Sequence, residues 1–297
     1  MSKDRLKEDL ASYAKGKFPQ LGNGYYYDFR DNIFGRHMDF VFEQSFLDGD
    51  GNELASKACA PHSSSMLGYN FFHWINRDHP ITIVFGKGEI NTYNEVLFEV
   101  KIPVISRSNA NMDIVLRNND GDWLFIESKF LEYLNTGSFE ISKAYTSPGE
   151  RTYFFGGDIW PKFIKEYDVS EKKQYWGGIK QAFCHLIGLT NWMNKIRPIE
   201  AKGTKNYYIE GCETRFINLV FEPQSHDYQE EHECFIKYEG LHRDLRKQLR
   251  ERRMIPTGLK VDFMTYSQLW ECVKKCPIPD GLEKFLYERY MRFAEGY

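Results

Sequence analysis

The chain has 297 residues, 42% hydrophobic and 16% aromatic, which is enough apolar material to bury a large core and argues against global disorder. Its formal net charge of −3 means that any polyanionic partner would need a locally positive surface. The apolar runs fall well short of the ~18 residues that span a bilayer, and the charged N-terminus lacks a signal-peptide core, so we expect a cytoplasmic protein without a membrane partner.

Periodicity and turn residues predict a mixed α/β protein. In chain order, we expect a helix at 4–16, a loop at 17–35, a serine-capped helix at 64–75, and strands near 81–85, 94–102, 112–117 and 123–130. A long helix at 171–195, a strand at 214–221, a charged helix at 229–253, a strand at 259–265 and helices at 266–276 and 280–294 should complete the chain.

Two patterns typical of metal sites are present only in part. The stretch DGDGNE at 48–53 has Glu53 where a calcium loop needs glycine, and Cys59 where it needs its last carboxylate, so a turn is expected there. The six cysteines form no CxxC pair, which favours free thiols in a reducing compartment over a structural zinc site.

The segment MDIVLRNNDGDWLFIESKF, residues 112–130, predicts a β-hairpin around its Asp-Gly turn. If Arg117 lies opposite Trp123, then Asp113 lies opposite Glu127 on the same face, because side chains alternate faces along a strand. The other face then carries only apolar residues: Ile114, Leu116, Leu124 and Ile126. A shift of one residue would split that apolar set and separate the carboxylates.

Opposed carboxylates ~5 Å apart repel each other unless a cation lies between them. Mg²⁺ suits such a place, because it binds one or two protein carboxylates and keeps water or phosphate oxygens in its other positions. Lys129 lies on the same face, where its ammonium could stabilise a phosphate oxygen or an attacking hydroxide. The pattern predicts metal-assisted phosphodiester hydrolysis, with Mg²⁺ as the cofactor and Mn²⁺ as a substitute. The alternative is a solvent-facing ion pair at a sheet edge.

Asp113, followed after a strand and turn by Glu127-Ser128-Lys129, resembles the PD-(D/E)XK signature of restriction-endonuclease-like nucleases. The resemblance covers roughly residues 60–225, where a helix, three strands, a helix and a strand occur in the order of that core. Met112 departs from the name of the signature, since proline is often found at its position. The resemblance implies an α/β fold with a restriction-endonuclease-like core, a mixed central β-sheet flanked by helices, and additional helical elements at the C-terminus.

The resemblance also implies a division of the chain and roles for the motif residues. We expect an N-terminal extension at 1–60, the nuclease core at 61–225, and C-terminal elements at 226–297 packed on that core. Asp113, Glu127 and the backbone carbonyl of Ser128 would bind the metal. Lys129 would assist the attacking water.

Four further polar residues are candidates for the site. The superfamily often carries a glutamine near the metal on the helix after the motif strand, and Gln181 and His185 lie one turn apart on that helix. Glu99, on the preceding strand, is a further candidate ligand. Asn70 stands on the first helix, where many relatives place a glutamate. The alternatives are helix packing for Gln181 and His185, a plain strand-face charge for Glu99 and a buried hydrogen bond for Asn70.

A basic segment near the C-terminus is the candidate DNA-binding surface. Leucines recur every four residues from 241 to 249 and predict one apolar stripe, with a basic face beside it. We expect that face to contact DNA phosphates through Arg243, Arg246, Lys247 and Arg250. The alternative is an ordinary solvated helix face.

These observations predict a Mg²⁺-dependent endodeoxyribonuclease of restriction type, in a role such as defence. The expected partner is double-stranded DNA, and a homodimer is a candidate assembly. Two alternatives stay open. One is another nuclease role on the same fold, in repair, junction cleavage or RNA cleavage. The other is a non-catalytic nucleic-acid-binding protein.

Overall fold

A seven-stranded mixed β-sheet forms the centre of the computed structural model, which describes residues 5–48, 54, 56–105, 108–135, 143–146, 159–167 and 175–294. The helices are α1 Arg5–Lys15, α2 Phe40–Leu47, α3 Ser64–Phe72, α4 Lys143–Thr146, α5 Ile159–Glu166, α6 Trp176–Met193, α7 Gln229–Glu251, α8 Tyr266–Val273 and α9 Leu282–Arg289. The strands are β1 Ile81–Val84, β2 Ile90–Tyr93, β3 Glu95–Ile105, β4 Ser108–Arg117, β5 Trp123–Lys129, β6 Ile199–Ala201, β7 Thr204–Asn206, β8 Thr214–Val220 and β9 Leu259–Thr265.

The strand order in the large sheet is β7-β6-β3-β4-β5-β8-β9, and β1 and β2 form a separate hairpin. Strands β3, β4 and β5 are antiparallel neighbours, whereas β5, β8 and β9 run parallel. The carboxyl ends of β5, β8 and β9 therefore meet at one edge of the sheet. This is the α/β architecture with a mixed central sheet that the sequence predicts.

Helices cover both faces of the sheet. The alternation of side chains divides the β4–β5 hairpin as predicted, since Ile114 and Ile126 pack with α3 on one face, and Val115 and Phe125 pack with α6 on the other. Gly68 on α3 allows a close approach to the hairpin, because a Cβ atom at this position would lie 2.7 Å from Ile114 Cδ1. The motif strand β5 is thus fixed from both faces.

The predicted helices and strands are present with small shifts of their ends, and some elements were not predicted. Helix α2, strand β2, the β6–β7 hairpin, α4 and α5 are additions, and the last predicted helix ends at Arg289 before a short 3₁₀ turn. Residues 171–174 of the predicted long helix, and 49–53 of the predicted turn, lie outside the described residues. Strand β9 joins the central sheet through β8, so residues after 226 contribute to the same sheet as the predicted core.

The described helices include none that is both long and apolar enough to cross a bilayer.

Candidate active site

The β4–β5 hairpin has the register that the sequence predicts. Ile114 pairs with Ile126, so the next residues in the same register, Asp113 and Glu127, lie level with each other on neighbouring strands. The backbone N–H of Ser128 donates a hydrogen bond to Asp113 Oδ2 at 2.7 Å, which holds the Asp113 carboxylate beside the end of β5. The hairpin alone therefore brings two acidic side chains together.

The row of polar residues continues onto the strands on either side. The residues that flank Glu99 on β3 pair with those that flank Asp113 on β4, so Glu99 is level with Asp113. On the other side, Glu127 pairs with Asn218 of the parallel strand β8. Glu99 has a left-handed φ of 52°, a conformation that non-glycine residues adopt at a cost and that is concentrated at functional sites. Three carboxyl residues and an amide thus cross four neighbouring strands.

Glu127 is held in place by two nitrogen atoms. Lys129 Nζ donates a hydrogen bond to Glu127 Oε1 at 2.5 Å, and His185 Nε2 of α6 lies 2.8 Å from Oε2. Glu127 is 1% exposed and Lys129 is 7% exposed, so this ion pair is buried, and the alternative of a solvent-facing pair is excluded. Breaking a buried pair leaves an uncompensated charge, which is costly.

The charges in this cluster shift the pKa values in opposite directions. Burial and the neighbouring Glu127 raise the pKa of Asp113 well above its usual value, although Lys129 opposes the shift. Burial also acts to raise the pKa of Glu127, but Lys129 and His185 outweigh it and lower that pKa. Burial acts to lower the pKa of Lys129, but Glu127 and Asp113 together raise it above its usual value. Lys129 therefore stays an ammonium, and Asp113 is the destabilised carboxyl group.

A cavity of about 680 Å³ opens onto this cluster. Its lining includes Glu99, Asp113, Lys129, Gln181 and His185, so five of the predicted site residues come together at one surface. Residues 63–65 at the N-terminus of α3 also line it. The first N–H groups of a helix and its dipole favour anions. The cavity therefore combines carboxylates, an ammonium and the N-terminus of a helix.

The donors at this cavity fit a hard divalent cation. Asn111 lies two residues before Asp113 on β4 and lines the same cavity, and its buried Oδ1 has no hydrogen-bond partner in the described structure. Side-chain oxygens from Asn111, Asp113 and Glu99 are the ligand type that Mg²⁺ prefers. Among the described residues, no three His, Cys, Asp or Glu side chains are arranged as a ready metal cage. Mg²⁺ usually binds one or two carboxylates and keeps several waters, so it does not need such a cage.

Asn70 lies away from this cavity. Its side chain is fully buried, accepts a hydrogen bond from the Phe34 N–H at 2.8 Å, and donates to Asn32 O at 2.9 Å and to Tyr290 Oη at 2.8 Å. All of these contacts join α3 to the N-terminal and C-terminal segments. The alternative of a buried hydrogen bond therefore describes Asn70, and we assign it a structural role.

The predicted DNA-contact residues lie on α7, apart from the cavity. Leu245 and Leu249 are buried against the sheet, which confirms the apolar stripe. Arg243 and Lys247 are exposed and face Glu239 at 2.9 Å and Glu251 at 3.9 Å on the same helix. Arg246 is one quarter exposed and lies 3.5 Å from Asp262 of β9, so the four basic residues do not form one exposed face.

The sequence reasoning missed a polar layer behind the ion pair. His242 of α7 is 1% exposed, and its Nδ1 accepts a hydrogen bond from Asn218 Nδ2 at 3.2 Å. Tyr238, one turn earlier on α7, packs its ring 4.5 Å from the ring of His242. Asn218 could have been noticed in the sequence, because it is a polar residue in the apolar run of a predicted strand, and Asn111 lies two residues before Asp113. His242 could not, since only the packing of α7 places it here.

Comparison with known proteins identifies one family for this chain. The family described as Restriction Endonuclease associating with ARP matches residues 3–291. Searches of curated proteins and of solved structures gave no match. The matched range includes every residue of the polar row and of the cavity.

Proposed function

Because the chain belongs to the family Restriction Endonuclease associating with ARP, we propose that it is a Mg²⁺-dependent endonuclease that hydrolyses phosphodiester bonds of double-stranded DNA. A restriction endonuclease family implies a nuclease type of activity and DNA as the substrate. Our proposal adds to this the Mg²⁺ ion, the phosphodiester bond as the bond that is hydrolysed, and the catalytic residues.

The observation that carries the proposal is the polar row, in which Glu99, Asp113 and Glu127 lie level on three neighbouring strands with Lys129 beside them. Uncompensated negative charge in a buried place is costly, and here burial and Glu127 together raise the pKa of Asp113. A bound cation would relieve that cost. A structural ion pair would need only Glu127 and Lys129, whereas the row carries two further carboxyl groups.

Each residue has a role that follows from its position. Asp113, with Glu99 and Asn111 beside it, would hold Mg²⁺, which when bound polarises a phosphate oxygen and lowers the pKa of a bound water. Glu127 and the Ser128 carbonyl, which the sequence suggests as ligands, are not assigned to the metal, because the two oxygens of Glu127 contact Lys129 and His185 and neither residue lines the cavity. Lys129, kept protonated by its carboxylate neighbours, would stabilise negative charge that develops on the attacked phosphate. His185 holds Glu127 from α6 and so fixes the carboxylate that orients Lys129. The N-terminus of α3 would bind a neighbouring phosphate of the strand.

The proposal is tested by incubating the purified protein with supercoiled plasmid in Mg²⁺, in Ca²⁺ and in EDTA, with a structured RNA as a second substrate. We expect nicked and linear plasmid in Mg²⁺, little or none in Ca²⁺ or EDTA, and an intact RNA. If the protein cleaves the RNA but not the plasmid, its substrate is RNA and not DNA. Cleavage that continues in EDTA would contradict a metal-dependent mechanism.

A further inference from the structure

A second cavity, of about 710 Å³, lies beneath the C-terminal end of α7. Its lining contains five cationic side chains, which are Arg215, Arg246, Arg250, Arg253 and Lys260. Its lining has no residue in common with that of the cavity at the polar row. The strand residues that line it come from the first halves of β8 and β9, whereas the polar row crosses β8 at Asn218, in its second half. It is therefore a separate feature of the molecule.

Arg215 forms the base of this second cavity. It is 2% exposed, its guanidinium lies 3.9 Å from the centre of the Phe85 ring, and it forms ion pairs with Glu89, Glu213 and Asp262. Its Nε is buried and has no hydrogen-bond partner among the described residues. A ligand in the cavity could accept the hydrogen bond that this buried guanidinium lacks.

The carboxylates at this cavity already form ion pairs with the basic residues of β8 and β9. Lys260 Nζ lies 2.9 Å from Glu89 and 2.7 Å from Glu213, and Arg215 contacts both of these carboxylates and Asp262. Five cations thus face three carboxylates, which leaves an excess of two positive charges. That excess lies on the α7 side of the cavity.

The α7 side of the cavity is not neutralised. Among the described residues, Arg246 has one ion-pair contact, at 3.5 Å with Asp262, and its buried Nε has no hydrogen-bond partner. Arg250 and Arg253 form no ion pair in the described part of the chain. Burial lowers the pKa of Arg246, and Arg250 and Arg243 add to this effect, whereas Asp262 opposes it. The like charges at this end of α7 therefore repel one another.

The backbone at Arg253 ends the helix. Its φ is 54°, in the position after the C-cap Arg252 where a left-handed residue commonly closes a helix, and the Met254 N–H donates to the Leu249 carbonyl oxygen at 2.9 Å. Glycine is the usual residue there, whereas the arginine in this chain adds a third α7-end guanidinium to the lining of the cavity.

The exposed side of the same helix differs in its charge balance. Arg243 faces Glu239 and Lys247 faces Glu251, so each cation there has a carboxylate one turn away. The basic side chains at this end of the helix that lack a carboxylate one turn away therefore line the cavity. A ligand with two negative charges would balance the excess of positive charge there.

We propose that this cavity is a phosphate-binding site, in which Arg246, Arg250 and Arg253 bind the phosphate oxygens above the buried Arg215. Guanidinium groups suit this ligand because their N–H donors pair with two phosphate oxygens at once. The phosphate would come either from the backbone of bound DNA or from a free phosphate ester such as a nucleotide. The inference does not depend on the catalytic site, since it rests on a different cavity.

The test measures binding of inorganic phosphate by calorimetry, without divalent metal, in a chloride buffer. The variant Arg250→Gln/Arg253→Gln removes the two unpaired cations, and Arg243→Gln/Lys247→Gln is the matched control, with the same loss of charge on the same helix. We expect saturable binding of phosphate to the parent, at least tenfold weaker binding to the first variant, and a change within twofold for the control. Melting temperatures check that both variants are folded, and Arg250→Gln alone is the substitute if the double variant is not.

Two further ligands distinguish the sources of the phosphate. If a short DNA duplex binds the pocket variant more weakly than the control, the backbone supplies the phosphate. If the duplex binds both variants equally while adenosine monophosphate binds only the control, a free phosphate ester is the ligand. The proposal is overturned if the parent shows no saturable phosphate binding, or if both variants lose it to the same extent. Neither readout uses DNA cleavage, so failure here leaves the proposed nuclease activity untouched.

Discussion

At Asp113, burial and a neighbouring like charge act in the same direction, and both raise the pKa of the carboxyl group. A carboxyl group whose pKa is raised by folding binds protons more tightly in the folded state, so the free energy of unfolding decreases as the pH rises through that pKa. Ionisation of Asp113 therefore lowers the free energy of unfolding, and the loss begins as the pH rises above the ordinary carboxyl pKa of 3.8. A bound cation would offset that cost, which is how a destabilised residue can be a metal ligand.

Asp113→Asn should therefore weaken metal binding without destabilising the fold. The amide oxygen can still accept the hydrogen bond from the Ser128 N–H, while the charge repulsion with Glu127 is removed. We expect Mn²⁺ binding by calorimetry to weaken at least ~10-fold, and the melting temperature at neutral pH without metal to stay equal or rise. Asp120→Asn, an exposed carboxylate in the turn of the same hairpin, is the control and should change neither quantity. Unchanged metal binding in Asp113→Asn would place the metal elsewhere.

The residues of the site differ in how far the sequence can predict them. Asp113, Glu127 and Lys129 lie within one hairpin, so strand alternation and the Asp-Gly turn fix their relative positions. Glu99 belongs to a strand that is next to the hairpin both in sequence and in the sheet, so it could be proposed but not placed. The contact of Asn218 with His242 depends on a parallel strand pairing and on the packing of α7, which no local pattern encodes.

At the scale of elements, the packing of α6 on β3 sets the position of His185. Gly188 is a point of close approach, because an added Cβ would lie 2.5 Å from Ile102 Cγ2 and 3.3 Å from the Pro103 carbonyl oxygen. His185 lies one turn earlier on the same helix and reaches Glu127 from there. The helix is therefore the structural link between the sheet and the ion pair.

Gly188→Ala should displace α6 and lower both stability and cleavage. Overpacking costs about 1–3 kcal/mol, which outweighs the gain of up to ~1 kcal/mol that alanine brings to a helix. We expect a lower urea midpoint and slower cleavage of DNA. Gly240→Ala is the control, since the space around Gly240 in α7 is open, and this variant should be more stable by roughly 0.5–1 kcal/mol. If Gly188→Ala were as stable as Gly240→Ala, the close packing of α6 would be refuted.

The strongly periodic elements of the fold follow from the sequence, and the short ones do not. Helix α7 has a leucine stripe, and β9 has the bounds that its pattern predicts. The β6–β7 hairpin consists of two strands of three residues each, which is too short to show a period and which depends on pairing with β3. The ion pairs of the basic residues of α7 could not be predicted either, because the spacing of these residues is visible in the sequence but their carboxylate partners are not.

At the scale of the whole molecule, His242 should make the protein sensitive to acid. Burial, with help from Lys129 and Arg246 and against Glu127, lowers the pKa of His242 to about 3. Because the unfolded chain takes up this proton near pH 6.5 and the folded chain does not, the free energy of unfolding falls as the pH drops below that value. Between about pH 6.5 and pH 5, His242 alone lowers the free energy of unfolding by ~2 kcal/mol.

His242→Gln should reduce this dependence on pH. Glutamine is neutral and keeps an acceptor for Asn218, so urea unfolding of the variant should lose ~2 kcal/mol less than the parent between these pH values. His226→Gln changes an exposed histidine and should leave the parental profile unchanged. A His242→Gln profile that coincides with that of the parent would mean that His242 takes up its proton in the folded state.

The most direct test of the account is the cleavage of supercoiled plasmid in Mg²⁺ by the parent and by Lys129→Met. The ammonium of Lys129 is assigned to the transition state rather than to holding the duplex, so we expect cleavage to slow by at least ~100-fold while the affinity for DNA in Ca²⁺ stays within about threefold. Melting in Ca²⁺ checks the fold, because the change leaves Glu127 without its ammonium partner, and Lys129→Gln is the second variant. A Lys129→Met protein that cuts plasmid at the parental rate would contradict the account.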